Sequence, residues 1–237
     1  MGADDGMIDH MSTERLPAAV LWDFDGTLVD TEPLWIRAEL EFLASRGVEW
    51  TYEQAVELCG SAWQIACGAL AEAVGDAPHT AYDLHLSQTA DVTRMLRELT
   101  DFPWRSGAQE LLHELGEAEI PLALVSASSM ELLNAGLDRI GAHRFHTIID
   151  GDSVNVGKPH PEGYLLAAER LGVAIEDCII IEDSINGTVA GREAGALVIG
   201  VPDQSPLDEL PNQKVIESLS EINLEWLRQT MRTFRGL

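Results

Sequence analysis

The sequence predicts an α/β fold, a Rossmann-like doubly wound parallel sheet with an all-helical module inserted after its first strand. Three observations predict it. From residue 17 onward, short apolar runs alternate with amphipathic stretches, the rhythm of strand–helix units. The runs are unbroken Val/Ile/Leu stretches rather than alternating ones, as in parallel strands covered on both faces. Residues 33–99 depart from this rhythm, with several helical patterns and no strand-like run.

The strands are expected at 19–25, 121–126, 147–150, 178–182 and 197–201, with a further one near 214–217. Helices are expected between them at 108–119, 130–140, 161–171 and 184–194, and a terminal one at 223–234. Within the insertion, helices are expected at 33–46, 52–59, 63–74 and 81–99. Pro33 stands at a helix-favoured start and Gly47 at a helix-favoured stop. Val92, Met95, Leu96 and Leu99 have the i, i+3, i+4, i+7 spacing of a buried helical stripe. The domain reading is a core of residues 16–32 and 100–237, a helical module of residues 33–99, and a flexible leader over residues 1–15.

Composition narrows the function. No apolar run approaches the roughly 18 residues that cross a bilayer, and the polar, acidic first residues lack the apolar stretch of a secretory signal. The net charge is -25, with 40 acidic against 15 basic residues, a field that repels nucleic acid and anionic membranes. The three cysteines, Cys59, Cys67 and Cys178, have neither C-x-x-C spacing nor an even count. They suit small buried hydrophobes in a reducing cytoplasm better than disulfides or zinc ligands. The expectation is a cytoplasmic protein, a monomer or weak homodimer, that works without nucleic acid or membrane.

The chemistry is read at the carboxyl ends of the strands, where open parallel sheets bind ligands. The first ends in Asp23-Phe24-Asp25-Gly26-Thr27, two carboxylates that a period of two can turn the same way. Such a pair is costly unless a cation or shared proton offsets it, although an Asx-rich turn explains the same run equally well. The second ends in Ser126-Ala127-Ser128-Ser129, a hydroxyl and backbone N–H groups suited to an anion or to a plain helix cap. After the third comes Gly157-Lys158-Pro159, which holds one of only two lysines where the backbone has little freedom. That suits a point-charge contact to phosphate, or a lysine in a surface turn. His160 is read as structural or solvent-facing. The fourth ends in Glu182-Asp183-Ser184, acids after a wholly apolar run, where buried charge needs a partner or a metal. Asp183 as a helix cap is the competing reading. The small residues from Gly187 to Gly195 suggest a helix packed close to the sheet.

Each site has an ordinary explanation, but acid pair, hydroxyl, lysine and acid pair at four successive strand ends is the donor set of magnesium-dependent phosphoryl transfer.

This pattern resembles the haloacid dehalogenase superfamily, in its phosphatase and β-phosphoglucomutase-like branch with a helical cap. The resemblance covers residues 18 to about 215 and rests on the D-x-D-G-T run with its spaced partners. It implies that Asp23 is a nucleophile forming an aspartyl-phosphate, and that Asp25 is general acid and then general base. It implies Mg2+ held by Asp23, the Asp25 carbonyl and Asp183, with Glu182 in support. Ser126, Ala127 and Lys158 would hold the phosphoryl group, and residues 33–99 would be the cap. Dehalogenase members lack an acid at the position of Asp25, so its presence favours phosphorus chemistry.

Within that branch, sugar phosphomutases grip a second phosphate with cap cations and carry a histidine near the hinge. Here no Lys or Arg lies between Arg46 and Arg94, and Trp35 stands at the histidine position. The expected function is therefore hydrolysis of a small phosphomonoester, a sugar phosphate or similar metabolite, with phosphomutase activity as the alternative. A non-catalytic phosphate-binding module fits less well, because every catalytic group is present. Glu32, Trp35, Ser61 and Trp63 are the candidate substrate contacts, although helix packing explains both tryptophans too, Trp63 especially.

Overall fold

The computed structural model describes residues 17–58, 63–76 and 80–237. The expected leader, Cys59 and Ser61 lie outside these residues. Six strands form one parallel sheet: β1 Ala19–Trp22, β2 Leu122–Val125, β3 Thr147–Ile149, β4 Cys178–Glu182, β5 Leu197–Gly200 and β6 Gln213–Val215. Their order is β3-β2-β1-β4-β5-β6. The chain therefore builds outward from β1 in one direction and then, from β4, in the other. The neighbours β1 and β4 mark the switch point, where the crossover connections leave in opposite senses and a crevice opens.

The helices are α1 Glu32–Ser45, α2 Tyr52–Val56, α3 Trp63–Ala73, α4 Ala81–Glu98, α5 Ala108–Glu117, α6 Met130–Ile140, α7 Glu162–Leu171, α8 Ile185–Ala194 and α9 Leu224–Arg235. Local chemistry sets their ends. Pro33 lies in the first turn of α1, and Gly47, with φ +75°, closes it. Thr51 and Gln54 form a reciprocal capping box on α2. Asn223 caps α9 by accepting the Trp226 N–H.

The chain forms two compact units. The first runs through Leu28 and includes Trp104–Ala127 and His143–Leu237, and the second is Val29–Pro103 with Ser128–Ala142. In the first, alternate strand residues Leu21, Ala123, Ile180 and Val198 turn one face of the sheet toward Tyr164, Ala167 and Ala168 of α7 and Ala190 and Ala194 of α8. The small residues of α8 allow close approach to the sheet: a Cβ at Gly191 would lie 2.8 Å from Val198 Cγ2 and 3.0 Å from Ile180 Cδ1. In the second, Leu43, Cys67, Leu70 and Leu84 form a buried cluster, and α6 packs on α4. Arg139 of α6 donates to the carbonyls of Leu99 and Thr100 at 3.0 and 3.1 Å.

One boundary differs from expectation in a way that matters for the site. β1 ends at Trp22 rather than continuing to Asp25. The Asp23 N–H still bonds the Ile181 carbonyl at 3.0 Å, but Gly26 then takes φ +78° and the chain turns. Asp23 and Asp25 thus belong to the loop beyond the strand, where a carboxylate can reach a ligand.

Candidate active site

Asp23, at the end of β1, and Glu182, the last residue of β4, are 6% and 0% exposed. Between them stands Lys158. Its Nζ donates to Asp23 Oδ1 at 2.5 Å, to Glu182 Oε1 at 2.6 Å and to the Val125 carbonyl at 3.0 Å. Ammonium, two carboxylates and the end of β2 are tied together at the switch point. The Ser126 N–H continues the sheet by bonding the Ile149 carbonyl at 2.9 Å, and its hydroxyl lies 3.4 Å from Asp25 Oδ2. Ala127 follows at the exposed start of the next loop. Asp23, Asp25, Ser126, Lys158, Glu182 and Asp183, scattered over 161 positions of sequence, are thereby gathered at adjacent strand ends.

Glu182 is committed to protein donors. Oε1 accepts from Lys158 and, at 2.8 Å, from the Tyr164 hydroxyl. Oε2 accepts from the N–H groups of Asp183 and Ser184 at 3.1 Å and from the Ser184 hydroxyl at 3.0 Å. A Cβ at Gly187 would occupy the same space as this carboxylate, so glycine is required there. The Ser184 hydroxyl also accepts the Gly187 N–H at 3.0 Å and so caps α8. Asp183 has freer oxygens: Oδ1 accepts from Thr27 Oγ1 at 3.2 Å, and Oδ2 lies over Gly26, where a Cβ would collide with it.

The electrostatics follow from burial. Desolvation pushes the Asp23 carboxyl up to about 7, although Lys158 pulls it down, and the Glu182 charge adds to the rise. Burial alone would lower the Lys158 ammonium, but Asp23 and Glu182 hold it protonated, well above its ordinary value. Glu182 is buried too, yet Lys158 and the hydrogen bonds keep it below the usual carboxylate range. Asp183 rises well above that range through burial and then through the charges of Glu182 and Asp23.

One ammonium thus stands among three acids, bonded to the buried Asp23 and Glu182 and close to the partly buried Asp183. Ligand oxygens of Asp23, Glu182 and Asp183 all lie within 4.8 Å of one another, an all-oxygen set that suits a hard divalent cation. These residues fit a metal, and Asp23 and Asp183 have the oxygens to offer it.

Sequence reasoning missed Tyr164, which is 1% exposed and has its ring 5.1 Å from Lys158 Nζ. The signal was there: Tyr164, Ala167, Ala168 and Leu171 share one helical face, and a hydroxyl on an apolar face needs a partner. Glu32 and Trp35 lie on α1, half-buried. Trp63 opens α3 and stacks on His85 with centroids 4.7 Å apart, tilted toward Tyr82 at 5.7 Å.

The comparisons with known proteins agree with this geometry. Residues 17–195 match the haloacid dehalogenase-like hydrolase family model. Over 221 residues the chain is 30% identical to the bifunctional riboflavin kinase/FMN phosphatase of Arabidopsis thaliana, covering 90% of this chain but only 56% of that longer protein. It is 29% identical over 225 residues to hexitol phosphatase B of Escherichia coli O157:H7, covering 90% of this chain and 97% of the relative. The crystal structure of CbbY from Rhodobacter sphaeroides in complex with phosphate superposes with a TM-score of 0.77 at 30% identity, over 89% of this chain and 98% of that one. The chain belongs to the haloacid dehalogenase-like hydrolases. It is a phosphoric monoester hydrolase of that family. No helix among the described residues is long and apolar enough to cross a membrane.

Proposed function

We propose that this protein is a magnesium-dependent cytoplasmic phosphatase that hydrolyses a small phosphorylated metabolite through an aspartyl-phosphate on Asp23. The observation that carries the reading is the Lys158 bridge between Asp23 and Glu182 beside Asp183. It supplies a nucleophile, a fixed cation for phosphate and an acid pair for a metal. An Asp23 carboxylate oxygen attacks phosphorus, and the bond to the leaving alcohol breaks as Asp25 gives that oxygen a proton. Asp25, now a base, takes a proton from water, which attacks phosphorus and frees Asp23 and inorganic phosphate. Lys158, the Ser126 hydroxyl and the Ala127 N–H hold the equatorial oxygens as charge develops on them. Mg2+, held by Asp23, the Asp25 carbonyl and Asp183 with Glu182 in support, would neutralise charge between nucleophile and phosphate. The magnesium is supported by the oxygen-only donor set.

Residues 33–99 act as the cap domain on a core of residues 16–32 and 100–237, with Glu32, Trp35, Ser61 and Trp63 contacting the substrate's alcohol portion. Between Arg46 and Arg94 there is no cation to hold a second phosphate, which favours a monophosphate over a bisphosphate and hydrolysis over a phosphomutase. The test is a panel of sugar, polyol and amino-alcohol monophosphates with purified protein and Mg2+. At least one should release phosphate, and none of the hexose phosphates should interconvert. Bisphosphate-dependent interconversion without net phosphate release would overturn the hydrolase reading in favour of the mutase.

A further inference from the structure

A further carboxylate stands near Asp183, across the same side of Gly26, and neither the strand-end pattern nor the proposed mechanism uses it. Asp203 lies three residues beyond the end of β5, and its side chain is 8% exposed. Arg105, three residues before α5 and 20% exposed, donates from Nη1 to Asp203 Oδ1 at 2.7 Å and from Nη2 to the Pro202 carbonyl at 3.3 Å. The Arg105 backbone N–H bonds the Leu28 carbonyl at 3.2 Å, which anchors the arginine on the loop that carries Asp23 and Asp25. The clamp holds one oxygen of Asp203. The other, Oδ2, accepts from Gln204 Nε2 at 3.2 Å. It also lies where a Cβ on Gly26 would come within 3.4 Å of it, and that same Cβ would collide with Asp183 Oδ2. The two carboxylate oxygens therefore share one side of Gly26. The Asp203 charge adds to those that disfavour ionisation of Asp183.

A partly buried arginine–aspartate pair kept only for stability has no reason to turn its second oxygen toward an acid cluster already short of positive charge, since like charges brought together destabilise the fold. We propose that Asp203, oriented by Arg105, is a positioning residue for the divalent cation, accepting a hydrogen bond from the hydration shell of a cation held by Asp23 and Asp183. The inference rests on the metal-dependent reading above. It extends that reading to a residue pair 98 positions apart. Groups that orient a metal's immediate ligands and waters typically change affinity by about 10- to 100-fold when removed.

The experiment is calorimetric titration of MgCl2 into the metal-stripped full chain, with thermal unfolding of each variant measured in chelator. Wild type should bind Mg2+, and Asp183→Asn should abolish binding. Asp203→Asn, which keeps shape and loses charge, should weaken binding at least tenfold. Arg105→Gln should weaken it at least fivefold, and carries the test if Asp203→Asn does not fold. Wild-type affinity, within twofold, in folded Asp203→Asn or Arg105→Gln overturns the inference, even with a lowered melting temperature, because the pair is then structural only. If wild type binds no Mg2+, or Asp183→Asn binds as tightly as wild type, the underlying metal reading fails instead.

Discussion

Glu39 gives the sharpest stability prediction, because it is an acid where the helical pattern calls for an apolar residue. It lies on the α1 face shared with Ile36 and Leu43 and is 9% exposed, and among the described residues no opposite charge sits beside it. Burial, with the Glu32 charge adding to it, pushes its carboxyl from an ordinary value near 4.5 up to about 7. The native state therefore holds this proton more tightly than the unfolded chain does. The stabilising effect of that proton is present below about pH 4.5 and is lost as pH rises toward 7; above 7 the folded unit carries a buried carboxylate. The full shift corresponds to a cost on the order of 3 kcal/mol at alkaline pH, with less than about 1 kcal/mol of it present by pH 5. Glu39→Gln keeps the volume and removes the charge. Relative to wild type, it should gain about 2 kcal/mol more stability at pH 8 than at pH 5. The assay is urea unfolding at pH 5, 6, 7 and 8, in chelator so that the metal site titrates alike in both proteins. A difference between the two proteins that stays constant across this range refutes the reasoning.

Lys158→Ala removes the ammonium that pairs with Asp23 and Glu182. It should lower kcat by about a hundred- to a thousandfold, by analogy with loss of an oxyanion donor, and lower stability by about 3 kcal/mol in chemical denaturation because buried charges lose their partner. Gly26→Ala must place a Cβ at positive φ against Asp183, so Mg2+ affinity measured by calorimetry should fall more than tenfold. Asn223→Ala removes the cap of α9 and should lower stability by about 1 kcal/mol in thermal unfolding, with phosphatase turnover at the wild-type value.

How much of this was legible in the sequence depended on the range of the interaction involved. The parallel sheet was readable because strands covered on both faces must be apolar throughout, and Cys178-Ile179-Ile180-Ile181 carries that requirement in four consecutive residues. The site pattern was readable for a related reason: polar residues that end such runs have few structural explanations, and the topology brings the ends of β1, β2 and β4 side by side. The length of β1 was less legible, since Phe24 continues the apolar pattern and only the Gly26 turn interrupts it. Two features lay beyond local pattern. Tyr164 reads as one more core aromatic until Glu182 is placed above it. Arg105 and Asp203 sit in ordinary loop sequence, and nothing nearby indicates that the two meet. Glu39 is hidden differently, because an acid on a helix reads as solvent-facing, and its burial shows only in the folded structure.

The central claim is that Asp23 carries the phosphoryl group. The most direct measurement is mass spectrometry of acid-quenched protein, taken during turnover of a responsive monophosphate with Mg2+, using wild type, Asp25→Asn and Asp23→Asn. Phosphate should be found on the peptide containing Asp23 in wild type and be absent from Asp23→Asn, while Asp25→Asn, which loses both the acid that frees the alcohol and the base that activates water, should turn over far more slowly than wild type. Phosphate found on another residue, or undiminished turnover by Asp23→Asn, contradicts the account.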